Sequence, residues 1–154
     1  MARSRSTSKK LSAASSSRRK PPEPLVFFID RSLGRKKVPE ALRAAGLDVR
    51  VHDELFAQAT EDVVWLTEAG VKRWVVITRD DRIRYNQLEK QAVLAAKLRF
   101  FSITSSALTG DAAATLILSA VGSMTRLCRQ FAKGGFIAKI SRGPQVSIIE
   151  KGRT

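Results

Sequence analysis

The sequence is poor in the residues that form disulfides, zinc sites and covalent catalytic centres. It has one cysteine, Cys128, and one histidine, His52, so an internal disulfide is excluded and no familiar zinc-binding spacing is present. It has no Gly-x-Ser-x-Gly element and no glycine-rich phosphate-binding loop. No apolar run approaches the roughly 20 residues that a membrane-spanning helix needs. These absences predict a cytoplasmic protein without a membrane partner or a serine nucleophile.

Acidic residues are also scarce relative to basic ones. The chain has 28 Lys and Arg against 14 Asp and Glu, a formal net charge of +14. This excess predicts a polyanionic partner, most often nucleic acid. Residues 1–24 are rich in Ser, Lys, Arg and Pro, with seven basic residues and one acid, which predicts a disordered basic tail. Attachment to RNA or DNA is one interpretation of this tail, and a solubilising leader or a misassigned start codon is an equally good one.

From residue 25 onward, apolar strand patterns alternate with helical ones. The repeated βα units predict a mainly parallel sheet with right-handed crossovers. The expected fold class is α/β, a three-layer α/β/α sandwich with a C-terminal β-hairpin. The folded domain is predicted over 25–150, followed by a short C-terminal tail at 151–154. Predicted strands are 25–29, 48–52, 74–78 and 99–103; predicted helices are 38–45, 61–70, 86–97 and 111–132; the predicted hairpin strands are 136–140 and 146–149.

Two of the predicted strands end in aspartate. Asp30 follows the first, and Asp80 and Asp81 follow the third. In the commonest doubly wound order, strand 3 lies beside strand 1, so the two strand ends flank one crevice, about 4.8 Å apart at the backbone. Carboxylates this close repel one another unless a cation lies between them, and oxygen ligands suit Mg²⁺ or Mn²⁺. The pattern therefore predicts a divalent metal site.

Other polar residues compete for roles at this site. Asp62, with Glu61 as the adjacent competitor, begins the helix after strand 2 and is the best third ligand. Its alternative role is a helix N-terminal acid that interacts with the macrodipole. Asp111 is explained by first-turn capping. His52 is either a general base or, more often for such a residue, structural, since chemistry on a metal-bound hydroxide needs no histidine.

Lysine and arginine residues surround both acidic turns. A metal site with a basic rim suits phosphodiester cleavage, because the metal activates water while the cations bind flanking phosphates. The alternative is a solvated charged face without a ligand. The predicted nucleic-acid-binding residues are Arg31, Arg79, Arg82, Arg84 and Lys90.

Five short stretches, taken in their order along the chain, resemble the PIN domain, specifically the compact PIN-like branch related to VapC-type toxins. They are FFIDRSLG at 27–34, DVVWL at 62–66, VVITRD at 75–80, RIRYNQLE at 82–89 and LTG at 108–110. The resemblance covers about residues 25–150. It implies a Mg²⁺- or Mn²⁺-dependent endoribonuclease, often the toxin of a toxin–antitoxin pair.

The resemblance also assigns the catalytic acids. The family's metal-binding acids correspond here to Asp30, Asp62 and Asp80, and the variable fourth acid to Asp81, with Asp111 as the alternative. Many relatives carry two further acids where this chain has Val63 and Val64.

The expected function is therefore a metal-dependent endoribonuclease that acts on RNA. The alternatives are a catalytically inactive nucleic-acid-binding protein on the same scaffold, and a structural or regulatory protein whose acids only cap helices. An antitoxin protein and a second copy of the chain, forming a homodimer, are left open as further partners.

Overall fold

The structure, a computed structural model, describes residues 25–34, 36–57, 60–79, 86–104, 108–133 and 135–152, without the side chain of Asp62. Its strands are β1 (Val26–Ile29), β2 (Asp48–Val51), β3 (Val75–Thr78), β4 (Arg99–Ile103), β5 (Phe136–Ser141) and β6 (Gln145–Lys151). They form one sheet in the order β2-β1-β3-β4-β5-β6.

All neighbouring strands pair in parallel except β5 and β6, which form the predicted antiparallel hairpin. The predicted placement of the third strand beside the first is confirmed. Strand β6 extends through Lys151, one residue into the segment predicted as a C-terminal tail. The predicted basic tail, residues 1–24, lies outside the described residues.

The helices that connect the strands are α1 (Lys37–Ala44), α2 (His52–Leu55), α3 (Asp62–Val71), α4 (Gln87–Ala95) and α5 (Gly110–Gln130), and a 3-10 turn covers Arg31–Leu33. Of the helices in the described part of the chain, none is long and apolar enough to cross a membrane.

Most predicted boundaries differ from the observed ones by one or two residues, and two of these differences are informative. The second strand ends at Val51, and His52 begins α2 instead of closing the strand. Helix α3 passes through Gly70, which was the predicted end, and a left-handed residue follows only at Arg73, with φ 59°. Gly70 serves a different purpose, because a Cβ there would lie 2.4 Å from the carbonyl oxygen of Ala96. The glycine lets α3 approach the end of α4.

The helices cover the two faces of the sheet in separate layers. Because side chains alternate along a strand, Phe27 and Ile29 pack with α1 and α5, whereas Phe28 packs with α3 and α4 on the opposite face. The central strands β1, β3 and β4 are buried on both sides, as their continuous apolar runs predict. This gives the α/β/α sandwich predicted from the sequence.

An aromatic cluster fixes α3 against the sheet. The centroid of the Phe28 ring lies 5.2 Å from the centroid of the Trp65 ring and 5.3 Å from that of the Trp74 ring, and both pairs are stacked. Truncating a buried phenylalanine of this kind to alanine costs about 3–5 kcal/mol of stability. The cluster also positions Asp62, because Trp65 lies one turn along the helix that Asp62 begins.

Candidate metal and nucleic-acid site

Asp30 stands at the carboxyl end of β1, directly beside the end of β3. The register aligns Ile29 with Ile77, and the backbone N–H of Asp30 donates a 3.1 Å hydrogen bond to the carbonyl of Ile77. The next residue of β3, Thr78, therefore lies next to Asp30. The junction of β1 and β3 is the switch point of this sheet, where ligands of open α/β proteins bind.

Two hydroxyl groups hold one oxygen of the Asp30 carboxylate. Thr78 Oγ1 and Ser32 Oγ each donate a 2.8 Å hydrogen bond to Asp30 Oδ2, and the Ser32 backbone N–H reaches the same atom at 3.4 Å. Within the described residues, no hydrogen bond reaches Oδ1. The carboxylate is therefore oriented through Oδ2, which leaves Oδ1 for another ligand.

The hydroxyls themselves are fixed in place. Ser32 Oγ accepts a 2.9 Å hydrogen bond from the backbone N–H of Arg79, and Thr78 is 2% exposed. Hydrogen bonds of this kind orient a carboxylate ligand and raise its affinity for a metal.

Ser32 and Thr78 are not among the predicted site residues, although two signals in the sequence point to them. Asp-x-Ser is a local pattern in which an aspartate bonds the backbone two residues on. Thr78 is the last residue of the strand predicted beside the one that Asp30 ends. The strand register, once known, places its hydroxyl at the acid.

The other predicted ligands are described only in part. Asp62 is the first residue of α3, whose preceding residue, Glu61, makes no side-chain capping hydrogen bond. Because α3 returns the chain to the start of β3, it begins towards the sheet edge that carries Asp30. Asp80 and Asp81 lie outside the described residues, and Asp80 follows Thr78 by two positions. No three His, Cys, Asp or Glu side chains come together within the described ranges.

Two predicted basic residues lie next to this junction. Arg31 is exposed in the 3-10 turn that follows Asp30. Arg79 follows Thr78, and its buried Nε has no hydrogen-bond partner among the residues described. Arg82 and Arg84 fall outside the described residues.

Lys90 is not brought together with Asp30. Its Nζ lies 3.9 Å from Glu150 Oε1, and the side chain is 14% exposed. Glu150 belongs to β6, which is separated from β1 by three intervening strands. The pair lies roughly 19 Å from β1 at ordinary strand spacing.

The remaining candidates have local structural roles in the described chain. Asp111 lies in the first turn of α5, which Thr109 caps, and its carboxylate is 3.8 Å from the ammonium of Lys37. The His52 ring is fully buried against Phe28, Phe56 and Trp65. This favours the structural interpretation of His52.

Comparison with known proteins agrees with this fold. The chain matches the family described as "PIN like domain" over residues 25–105. It is also 30% identical over 107 residues to a Mycobacterium tuberculosis protein named "Putative ribonuclease VapC45". The aligned region covers 67% of this chain and 78% of that protein. No solved structure matches the chain. The chain belongs to the PIN-like domain family.

Proposed function

We propose that this protein is a metal-dependent endoribonuclease whose active site lies at the junction of β1 and β3. The carrying observation is the Asp30 carboxylate, oriented through Oδ2 by two hydroxyls, with no described hydrogen bond to Oδ1. Membership of the PIN-like family and similarity to a protein named as a ribonuclease support the proposal. The net charge of +14 suits an RNA substrate.

The donor chemistry fits Mg²⁺ or Mn²⁺. Carboxylate oxygens are the ligands these hard cations prefer, and Asp30, Asp62 and Asp80 would hold the ion. Asp81 is the proposed fourth acid, since Asp111 is already close to Lys37. When bound, the metal would supply an activated water and stabilise charge on the phosphate in the transition state.

The chain's own residues supply orientation and substrate binding. Thr78 and Ser32 keep Asp30 in one orientation, so the carboxylate does not need to reorganise when it binds. Arg31 and Arg79 would contact the phosphates that flank the scissile bond. The buried Nε of Arg79 lacks an acceptor among the described residues, and a phosphate oxygen would satisfy it.

The resemblance to VapC-type toxins extends the proposal to a biological role. We propose that the protein is a toxin that acts in the cytoplasm and has an antitoxin protein as its partner. We also propose that its folded domain covers residues 25–150. Induced expression should then arrest bacterial growth, and the same chain carrying Asp30→Asn should not. Growth arrest by both chains would contradict a toxic role for the nuclease site.

The activity itself is tested on total RNA. The full chain should cleave RNA in Mg²⁺ or Mn²⁺, stop in EDTA and resume when Mn²⁺ is restored. A metal-induced rise in melting temperature should accompany cleavage, because an ion that binds only the folded state stabilises it by mass action. RNA binding without cleavage under every metal condition would overturn the proposal in favour of an inactive nucleic-acid-binding protein.

A further inference from the structure

A large open cleft lies at the edge of the sheet opposite Asp30. It has a volume of about 1060 Å³ and is bounded by the starts of β1 and β2, the loop after α3 and the last turns of α5. We call it the basal cleft and define it by the floor residues Leu25, Leu47 and Cys128 and the rim residues Arg73, Arg129 and Lys133. Leu25 and Asp30 are five residues apart, so the cleft is roughly 16 Å from the candidate active site along β1.

The rim of the basal cleft is strongly cationic. Arg73, Arg129 and Lys133 form no ion pair with an acid within the described residues. Lys72 and Arg99 also line the cleft, but Lys72 is paired with Glu68. The single acid in the lining, Asp48, is already paired with Arg50. On Arg73, Arg129 and Lys133 the cleft therefore holds positive charge that no acid of the described chain neutralises, above an apolar floor.

Two of the cations are held in position. Arg73 Nη2 donates to the carbonyl of Ala132, and Arg99 Nη2 donates to the carbonyl of Arg73. These bonds join the loop after α3, the start of β4 and the loop after α5. A guanidinium fixed in this way loses less conformational entropy when it binds an anion than a free side chain loses.

The sequence carries further positive charge directly before residue 25. Residue 25 lines the cleft, so the seven basic residues and one acid of positions 1–24 are covalently attached at this edge of the domain. A phosphodiester chain is the polyanion that suits such an extended set of cations, and arginine binds its phosphates well.

We infer that the basal cleft is a second RNA-binding site, which holds a single strand by its phosphates away from the point of cleavage. This inference rests on the proposed function for the identity of the ligand. The competing explanation is that the cations only complement the carboxyl ends of α3 and α5. In that case they would affect stability and leave RNA binding unchanged.

The test measures binding without cleavage. A fluorescein-labelled single-stranded oligoribonucleotide of mixed sequence is titrated with the full chain carrying Asp30→Asn in EDTA, at two salt concentrations. Arg129→Glu is compared with Arg126→Glu, an equal charge reversal at an exposed position of the same helix outside the cleft. Lys133→Glu is then added to Arg129→Glu.

Arg129→Glu should weaken binding about tenfold at low salt and lower the salt slope by about 0.7, the value for one phosphate contact on a single strand. Adding Lys133→Glu should deepen both effects, and Arg126→Glu should change the affinity less than twofold. If Arg129→Glu lowers the melting temperature, Arg129→Gln gives the same comparison without the reversed charge. Equal affinities for the cleft and control variants would overturn the inference.

Two further outcomes separate this inference from its alternatives. If poly-glutamate displaces the oligoribonucleotide from the chain more effectively than unlabelled RNA of equal charge, the cleft is a site for acidic peptide and the inference fails. If Arg129→Glu weakens RNA binding but the unsubstituted protein cleaves RNA under no metal condition, the cleft is a nucleic-acid site and only the proposed nuclease function fails. If the unsubstituted protein cleaves RNA but Arg129→Glu binds RNA like Arg126→Glu, the nuclease function stands and the inference about the cleft fails.

Discussion

Thr78 Oγ1 donates a 2.8 Å hydrogen bond to Asp30 Oδ2 across the junction of two parallel strands. The two residues are 48 positions apart in the sequence and lie at adjacent strand ends. The threonine hydroxyl is buried, so water does not readily replace it. The orientation of the proposed metal ligand thus depends on the pairing of β1 with β3.

This contact makes Thr78→Val an informative substitution. Valine keeps the shape of the side chain and removes the donor, so Asp30 loses one of its two hydroxyl bonds. We expect metal-dependent RNA cleavage to fall about 10- to 100-fold, with weaker Mn²⁺ affinity, as is usual when a residue that orients a metal ligand is lost.

The matched control for that substitution is Thr104→Val. Thr104 follows β4, and among the described residues its hydroxyl reaches only the carbonyl of Ile140, at 3.5 Å. The cleavage rate and the Mn²⁺ affinity of the Thr104→Val variant should remain those of the parent. Equal losses in the two valine variants would show that the effect is general destabilisation and not orientation of Asp30.

Arg82 and Arg84 remain the predicted phosphate-binding pair of the basic rim. We expect the Arg82→Ala, Arg84→Ala variant to weaken RNA binding while metal binding stays almost unchanged. Because the contact is electrostatic, the loss should shrink as salt rises and be similar for two unrelated RNAs. If the two arginines instead pair with surface acids, each pair is worth roughly 0–1 kcal/mol, and affinity for both RNAs would equal that of the parent.

Deletion of residues 1–24 removes a net six positive charges, from seven basic residues and one acid. RNA affinity should fall and its dependence on salt should flatten, while cleavage at saturating RNA persists. A chain in which the tail's Lys and Arg are replaced by Ser should behave like the deletion, which separates charge from length. A large loss of thermal stability on deletion would show that the tail is structural.

Cys128 gives a pH-dependent prediction. Burial raises the pKa of its thiol from 9.0 to about 11, and the neighbouring Arg99 opposes the rise. The folded state therefore holds the proton more tightly than the unfolded state. The resulting stability is complete below about pH 9 and is lost as pH rises towards 11.

Across that window the parent should lose about 1.4 kcal/mol of unfolding free energy per pH unit more than Cys128→Ala does. Denaturant unfolding of the two proteins at a series of pH values measures the difference. The native thiol should also react with a thiol reagent at pH 8 only as fast as the chain unfolds. Parallel stability curves for the two proteins would contradict the buried, neutral thiol.

The sequence predicted the sheet better than it predicted the surroundings of the acids. Short apolar runs such as 75–78 have only one favourable environment, a strand covered on both faces, and the usual βα order then places β3 beside β1. The hydrogen bonds of Thr78 depend on strand register, which local patterns do not specify. The Lys90–Glu150 pair joins residues 60 positions apart, and only the assembled sheet brings them together.

Gly70 shows the same limit of sequence-based prediction at a single residue. A glycine near the end of a helical pattern usually marks the helix end, but here it allows contact with the end of α4. The basal cleft could not be predicted either, since its lining comes from several segments that meet only after folding.

The most direct test of the proposed site is the rate of Mn²⁺-dependent RNA cleavage by Asp30→Asn and Asp80→Asn, compared with Glu150→Gln. Glu150 lies on β6, where it pairs with Lys90, outside both the candidate active site and the basal cleft, so it controls for the loss of one carboxylate. We expect a loss of more than about 100-fold in the first two variants, exceeding that expected for residues that only orient ligands, and parental activity in the third. Full activity in Asp30→Asn and Asp80→Asn would rule out the proposed metal site.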